Sequence, residues 1–242
     1  MFEHRKSYDA SAVAGRDHCV VLLLEQWIPT VLRGVLREAS GVTVLDVGCG
    51  AQPFRALIES LGARYLGMDV VQNSGASVDI VAAIDAALPD PWPQPERQYA
   101  VVLCTEVMEH TLDWSLAFRN LRALLATDGR LILTTPFMFP IHMEPYDYFR
   151  ATPHALLQLA RIHGFLVERH DVLGHPFDVL WTLLSDTSIL PAHRTLASRS
   201  KTVGLRLAKQ FVLRLLENRW LRTGVTVNAN SHLSNAMVLR SA

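Results

Sequence analysis

The sequence predicts an α/β fold built on a mainly parallel sheet with helices on both faces. Three observations predict it. Short, apolar, β-branched runs recur along the chain, at residues 42–47, 64–71, 99–104 and 130–135; helical spacers separate them; and the first run ends abruptly in Gly48-Cys49-Gly50. Parallel neighbours need crossover connections, and ligands of such sheets sit beyond the carboxyl ends of the strands.

Residues 11–39 carry helical periodicity interrupted at Pro29, whose ring and missing N–H end or kink a helix, so two N-terminal helices are expected. The first strand, over 42–47, runs into the glycines, and residues 54–61 fit a helix. A second strand ends at Asp69, and a short third lies within 76–84. Pro89, Pro91, Pro93 and Pro95 then force a loop. After the strand over 99–104 come a helix through His110 and a longer one over 114–125, and Asp128-Gly129 turns the chain into the strand over 130–135. Beyond Thr152 the pattern gives a helix to His163, a turn at Gly164, a strand over 165–172 and a last strand over 233–240. About sixty residues between those last two strands exceed an ordinary connection and read as a helical insertion. One domain of 242 residues is expected: N-terminal helices over 1–40, a ligand-binding core over 41–173, an insertion or lid over about 174–230, and the last strand in 231–242.

Half the residues are hydrophobic and 19% are charged, which excludes a disordered tail. Lys plus Arg and Asp plus Glu balance at 23 each, so the global basic footprint of a nucleic-acid binder is missing. Cys19, Cys49 and Cys104 lack the paired spacing of a zinc site and fit a reducing cytoplasm. The N-terminus does not read as a signal peptide, and no stretch approaches the ~18 apolar residues of a membrane span.

The sharpest motif is Val44-Leu-Asp46-Val-Gly48-Cys49-Gly50. Glycine lets the backbone turn tightly and admits a ligand where a Cβ would intrude. A bare Gly-x-Gly also fits a dinucleotide loop or a plain strand-to-helix turn. The third glycine of a dinucleotide fingerprint is absent, since Ala51-Gln52-Pro53 follows, and Asp46 ahead of the glycines could attract a cationic ligand. Those two features favour S-adenosylmethionine over NAD. Asp69, nineteen residues past Gly50, could accept hydrogen bonds from both ribose hydroxyls, or be an exposed loop acid. Met68 and Val70 would flank the adenine, and Asp85 could hold its amino group or serve as an N-cap.

Leu45-Asp-Val-Gly-Cys-Gly50 with Pro53-Phe54, Gly67-Met-Asp69, Leu88-Pro89, Leu103-Cys-Thr-Glu-Val-Met-Glu-His110 and Gly129-Arg-Leu-Ile-Leu-Thr-Thr-Pro136, in that order, resemble the class I, type 11-like methyltransferases over roughly residues 40–170. The resemblance implies a Rossmann-like sheet of seven strands with the last antiparallel, S-adenosylmethionine as methyl donor and S-adenosylhomocysteine as product. It carries cofactor roles onto Asp46, Gly48, Gly50 and Asp69, with Cys49 inside the loop, and onto Asp85, Cys104 and Glu106. One departure is the longer spacing from Asp85's usual counterpart to Leu88-Pro89.

Methyl transfer mainly requires a nucleophile held within about 3–3.5 Å of the reacting carbon, and a hydroxyl acceptor gains from a base near neutral pKa. Histidine is the first choice. Glu106, Glu109 and His110 would share one helical face as a base dyad or a divalent-metal site; in some ubiquinone-pathway O-methyltransferases a similar Glu-x-x-Glu-His is implicated in metal binding, and a capping or structural role for His110 is the alternative. The stretch 136–150 follows the fifth strand at the ligand edge and offers His142, Tyr146, Asp147, Tyr148 and Arg150 to an acceptor. It resembles a His-x-x-Pro-x-Asp-Tyr-x-Arg-x-Thr stretch linked with bacterial glycans and specialised metabolites. His142 is the first candidate base and His110 the second; Tyr148 and Arg150 could instead lock the loop, with Thr152 as N-cap ahead of Pro153. The expected reaction is therefore methylation of a small molecule at oxygen, with N- or C-methylation and a noncatalytic S-adenosylmethionine-binding module as alternatives. In the insertion, residues 203–221 form a basic amphipathic helix with Leu207, Phe211 and Leu215 and with Arg206, Lys209, Arg214, Arg219 and Arg222 nearby, read as a packed lid, a homodimer face or a membrane-surface helix.

Overall fold

The structure, a computed structural model, describes residues 10–37, 41–94, 98–193, 195–218, 222–223 and 230–241. Pro95, Arg219 and Leu221 fall outside them. Seven strands form one sheet: β1 (Thr43–Val47), β2 (Arg64–Asp69), β3 (Ile80–Val81), β4 (Tyr99–Thr105), β5 (Leu125–Pro136), β6 (Phe165–Leu173) and β7 (Ser234–Ser241), in the spatial order β3-β2-β1-β4-β5-β7-β6. All neighbours are parallel except β7, which runs antiparallel to both β5 and β6. This is the mostly parallel, Rossmann-like architecture that the alternating runs predict.

Both faces of the sheet are covered, so the central strands are apolar at nearly every position rather than at alternate ones. Val44, Val101, Leu103 and Ile132 turn to the face under α1 (Asp17–Leu36), α2 (Arg55–Ser60) and α5 (Pro176–Asp186), whereas Leu45, Val102, Leu131 and Leu133 turn to the face under α3 (Trp114–Ala123) and α4 (Pro153–Ile162). Thr152 caps α4 by accepting from the Ala155 N–H, with Pro153 at the first turn, as its sequence position predicts. The helical insertion is present as α5 and α6 (Leu196–Glu217). Its two ends are hydrogen-bonded: Leu233 N–H donates to the Leu173 carbonyl at 2.9 Å.

Three local expectations fail. Pro29 does not divide the N-terminal segment into two helices; it lies inside one twenty-residue helix, preceded by a short 3-10 turn at Ala10–Ala12. The face carrying Val21, Leu24, Ile28 and Leu32 is fully buried, and that packing outweighs the ~3 kcal/mol an internal proline costs. The same helix is long and apolar enough to cross a membrane, contrary to the reading that no stretch approaches a span, yet its apolar face is part of the core. Asp128-Gly129 does not precede the fifth strand but sits inside β5, with Asp128 at φ +59 and a register shift opposite Tyr99 and Val101.

Candidate functional site

The carboxyl edge of β1 delivers the glycine loop. Gly48 and Gly50 both adopt left-handed backbone, at φ +71 and +52. A Cβ on Gly48 would lie 2.2 Å from Val107 Cγ2, so the position has neither the backbone nor the room for a side chain. The Gly48 and Cys49 N–H groups donate to the Met68 carbonyl at 2.8 and 3.1 Å. Asp69, at the end of β2, accepts from Gly50 N–H at 2.8 Å and from Val70 N–H at 2.7 Å. Asp69 therefore fastens the loop as well as standing beside it.

Asp46 lies beneath this loop, nearly closed to solvent, and accepts from the Tyr65 hydroxyl at 2.7 Å. Burial raises its pKa to about 7, with the charge of Asp69 adding to the rise and the Tyr65 hydrogen bond opposing it. Burial likewise pushes the Cys49 thiol up to about 12, so it stays protonated. Met68 and Cys104 are wholly buried in the core, where Met68 serves the loop through its carbonyl; Val70 is half exposed. Asp85 accepts from Leu112 N–H at 2.9 Å.

Sequence reasoning missed the braces of the loop. Gln52 takes a left-handed φ of +62 and ties Ser77 to Arg55, donating to the Ser77 carbonyl at 2.6 Å and accepting from Arg55 Nε at 2.9 Å. Asn73 donates to the Gly50 carbonyl at 2.9 Å. The cluster Asn73-Ser-Gly-Ala-Ser was the available signal, since such residues close local turns through their side chains. Gly67 is a glycine because Gln52 Nε2 and Cys49 Sγ would stand 2.7 and 2.8 Å from a Cβ there.

The second half of the site corrects the expected geometry. Residues 106–110 are not one helical face: Glu106 is left-handed at φ +53, and only Met108–His110 form a single 3-10 turn. Glu106 is thereby turned away from the helical register shared with Glu109 and His110. Instead, the loop after β5 brings His142 to the other two. His142 Nε2 and His110 Nε2 lie 3.7 and 3.6 Å from Glu109 Oε1, and the two imidazoles meet edge-on with centroids 4.9 Å apart. Glu109 is fully buried, and its carbonyl accepts the Tyr148 N–H at 2.8 Å, which pins the loop to the turn.

Asp147 orients His142. Its Oδ2 accepts the His142 backbone N–H at 2.9 Å and lies 3.2 Å from Nδ1, while the Pro140 carbonyl is 3.3 Å from the same nitrogen. Arg150 Nη2, a donor, also stands 3.4 Å from Nδ1, but the two nearer neighbours are acceptors and suit the tautomer protonated there, which leaves the Nε2 lone pair on the side of Glu109. Burial lowers the His142 pKa, against the opposing charge of Asp147. Burial also works to raise the Asp147 pKa, but its bonds to Arg150 and the His142 N–H overcome that and leave it below the ordinary carboxylate value. Arg150 pairs with Asp147 and donates to the Phe139, Pro140 and Phe149 carbonyls at 3.4, 3.2 and 2.9 Å. Its guanidinium is thus turned into the loop. Tyr146 and Tyr148 are exposed, and the Tyr146 carbonyl lies 2.7 Å from His110 Nδ1.

Residues 23–176 match the family described as "Methyltransferase domain". The chain belongs to that family, the class I, S-adenosylmethionine-dependent methyltransferases. It is 31% identical over 173 residues to the ubiquinone biosynthesis O-methyltransferase of Bradyrhizobium diazoefficiens, covering 62% of this chain and 68% of the relative. It is 25% identical over 178 residues to the protein of the same name from Rhodopseudomonas palustris, covering 62% and 69%. Among solved structures, the magnesium protoporphyrin IX methyltransferase of Synechocystis PCC 6803 superposes with a TM-score of 0.53 at 14% identity, over 95% of this chain and 85% of that one. An S-adenosylmethionine-dependent methyltransferase from Mesorhizobium loti gives 0.52 at 14%, over 87% and 96%. At those identities the structures share the fold.

Proposed function

We propose that the protein transfers a methyl group from S-adenosylmethionine to a hydroxyl of a small molecule, of the specialised-metabolite or glycan type. One observation carries the reading: Gly48, in the cofactor loop, abuts Val107, and the same short segment presents Glu109 and His110 to His142. The donor loop and a proton-handling cluster therefore adjoin. The O-methyltransferase names of the relatives support oxygen as the acceptor atom.

When bound, S-adenosylmethionine supplies an electrophilic methyl carbon. The residues fit it: a Cβ would fill the cradle at Gly48, Asp69 stands at the loop with its carboxylate, and Asp46 offers a buried acid that a cationic group would favour in its charged form. His142, neutral and held by Asp147, accepts the acceptor's hydroxyl proton at Nε2. Phe139, edge-on to that imidazole at 5.4 Å, helps to exclude water. Arg150 holds the loop in shape rather than touching the acceptor.

A second reading rests on the ligand atoms of Glu109, His110 and His142, which lie within 4.8 Å of one another. Separations of 3.6 and 3.7 Å are a few tenths wider than the ~3.3 Å edge of a tetrahedral ion with bonds of ~2.0 Å. The three residues fit a divalent cation, in a set that takes His142 where the sequence suggested Glu106. Such an ion would supply Lewis acidity to a bound oxygen.

The test is incubation with methyl-labelled donor and a panel of hydroxyl-bearing metabolites and sugars, read by mass spectrometry, with and without chelator. Labelled product that survives chelation supports the His142 base; loss on chelation and recovery with metal supports the second reading. Tight S-adenosylhomocysteine binding with no product from any acceptor class would leave a noncatalytic module.

A further inference from the structure

The insertion between β6 and β7 carries a surface that methyl transfer does not use. On α6, Thr202 and Leu213 are buried against the rest of the protein, and Lys209 is tied to α5 through the Ser185 and Thr187 carbonyls at 2.9 and 2.7 Å. At 100° per residue those three positions fix the inward face. The opposite face presents Leu196, Val203, Leu207, Phe211 and Leu215, all exposed, with Leu196 at 85% and Leu207 and Phe211 at 67% and 63%. An amphipathic helix that turns such a stripe outward is arranged contrary to what its own fold requires.

The charges say what covers the stripe. The chain as a whole balances at 23 of each sign, but α6 holds Arg199, Lys201, Arg206, Lys209 and Arg214 against the single acid Glu217, which accepts from Trp181 Nε1 at 2.9 Å. Arg199 stands on one shoulder of the stripe and Lys201 on the other, with Arg214 beside Leu207, whereas Arg206 turns inward and donates to the Ile189 carbonyl at 2.9 Å.

We propose that α6 docks on an anionic lipid bilayer, its apolar stripe entering the boundary between headgroups and acyl chains and its cations meeting the lipid phosphates. Arg16 pairs with Asp186 at the end of α5 at 3.0 Å and donates to the carbonyl of Ile141 at 3.2 Å, the residue before His142, so the hairpin and the acceptor loop are tied to one side chain. The docking itself is independent of the methyl-transfer reading.

The experiment is co-sedimentation of the full chain with phosphatidylglycerol–phosphatidylcholine vesicles and with phosphatidylcholine vesicles, at low and raised salt, beside sedimentation velocity without lipid. Partition into the anionic vesicles, weakened by salt, is expected, and Leu207→Ser with Phe211→Ser should reduce it by at least about tenfold with an unchanged melting temperature. Arg199→Gln, Lys201→Gln and Arg214→Gln should each cost about fivefold. Equal partition into both vesicle types, no partition, or a lipid-free dimer that the Leu207→Ser and Phe211→Ser pair dissociates would overturn the proposal, the last by assigning the stripe to a second copy.

Discussion

Replacing Gly48 with alanine should cost the fold roughly 2–5 kcal/mol, in two parts that separate experimentally. The first is the backbone. At φ +71 an L-residue loses about 1–2 kcal/mol relative to glycine. The second is overlap: the new Cβ would stand 2.2 Å from Val107 Cγ2, where carbon atoms rest at about 3.5–4.0 Å, and overpacking of that kind typically costs about 1–3 kcal/mol. Val107→Ala removes the obstructing methyls and leaves the backbone part in place. Urea unfolding of the wild type, both single variants and the double variant closes a double-mutant cycle, in which a favourable coupling of about 1–3 kcal/mol is expected. Calorimetry with S-adenosylhomocysteine should show binding lost in Gly48→Ala and only partly regained in the double variant. A wild-type unfolding midpoint for Gly48→Ala, or a coupling of zero, would refute the close approach of the two segments.

Asp69→Asn keeps an oxygen for the loop and should weaken S-adenosylhomocysteine at least tenfold with little change in stability; Asp69→Ala should also lose about 1–3 kcal/mol, because the Gly50 and Val70 N–H groups lose their acceptor. Since burial sets the His142 pKa below 6.5, the rate should hold to pH 6.5 and fall below it, and stability should also fall there as the unfolded chain takes up the proton; an acidic limb centred above 6.5 would place proton transfer on another group. Asp46 binds its proton up to about pH 7 when folded but only to about 3.8 when unfolded, so apoprotein stability should decline as pH rises through that window, by on the order of 4 kcal/mol, and Asp46→Asn should flatten the decline in pH-dependent urea melts. Arg150→Ala should raise the acceptor KM and lower kcat without altering S-adenosylhomocysteine affinity, and Arg150→Lys should fail to rescue because an ammonium cannot reproduce the planar set of bonds to Asp147 and three carbonyls.

The sheet could be read from the sequence because strands buried on both faces leave unbroken apolar runs, as Tyr99-Ala-Val-Val-Leu-Cys does. The glycine loop could be read because only glycine tolerates what Gly48 must do. Pro29 misled because a local rule was outweighed by burial of the surrounding helix, which no window of sequence reports. Glu106 misled for a related reason: nothing in its letter announces a left-handed backbone, and without it the spacing to Glu109 and His110 imitates a helix face. His110 and His142 each stood out alone, but their meeting depends on β4 and β5 being neighbours, a contact across thirty-two residues that periodicity cannot supply.

The bond from Leu233 to Leu173 has a consequence for how this protein can change. It closes the long excursion at its root, so β6 and β7 hold their register whatever hangs between them, and doubling the length of a closed excursion costs only about 0.6 kcal/mol in chain entropy. Within it, α5 is committed, because Val179 and Trp181 belong to the core that α1 completes, while α6 adds Leu213 and the partly buried Leu216 to that core and is otherwise held to α5 by polar bonds such as Glu217 with Trp181 and Lys209 with Ser185. Descendants of this chain can therefore lengthen, recharge or trade α6 for another segment, and so acquire new surroundings, while the root beside the end of β5, where Phe137 N–H donates to the Leu233 carbonyl at 2.7 Å, stays as it is.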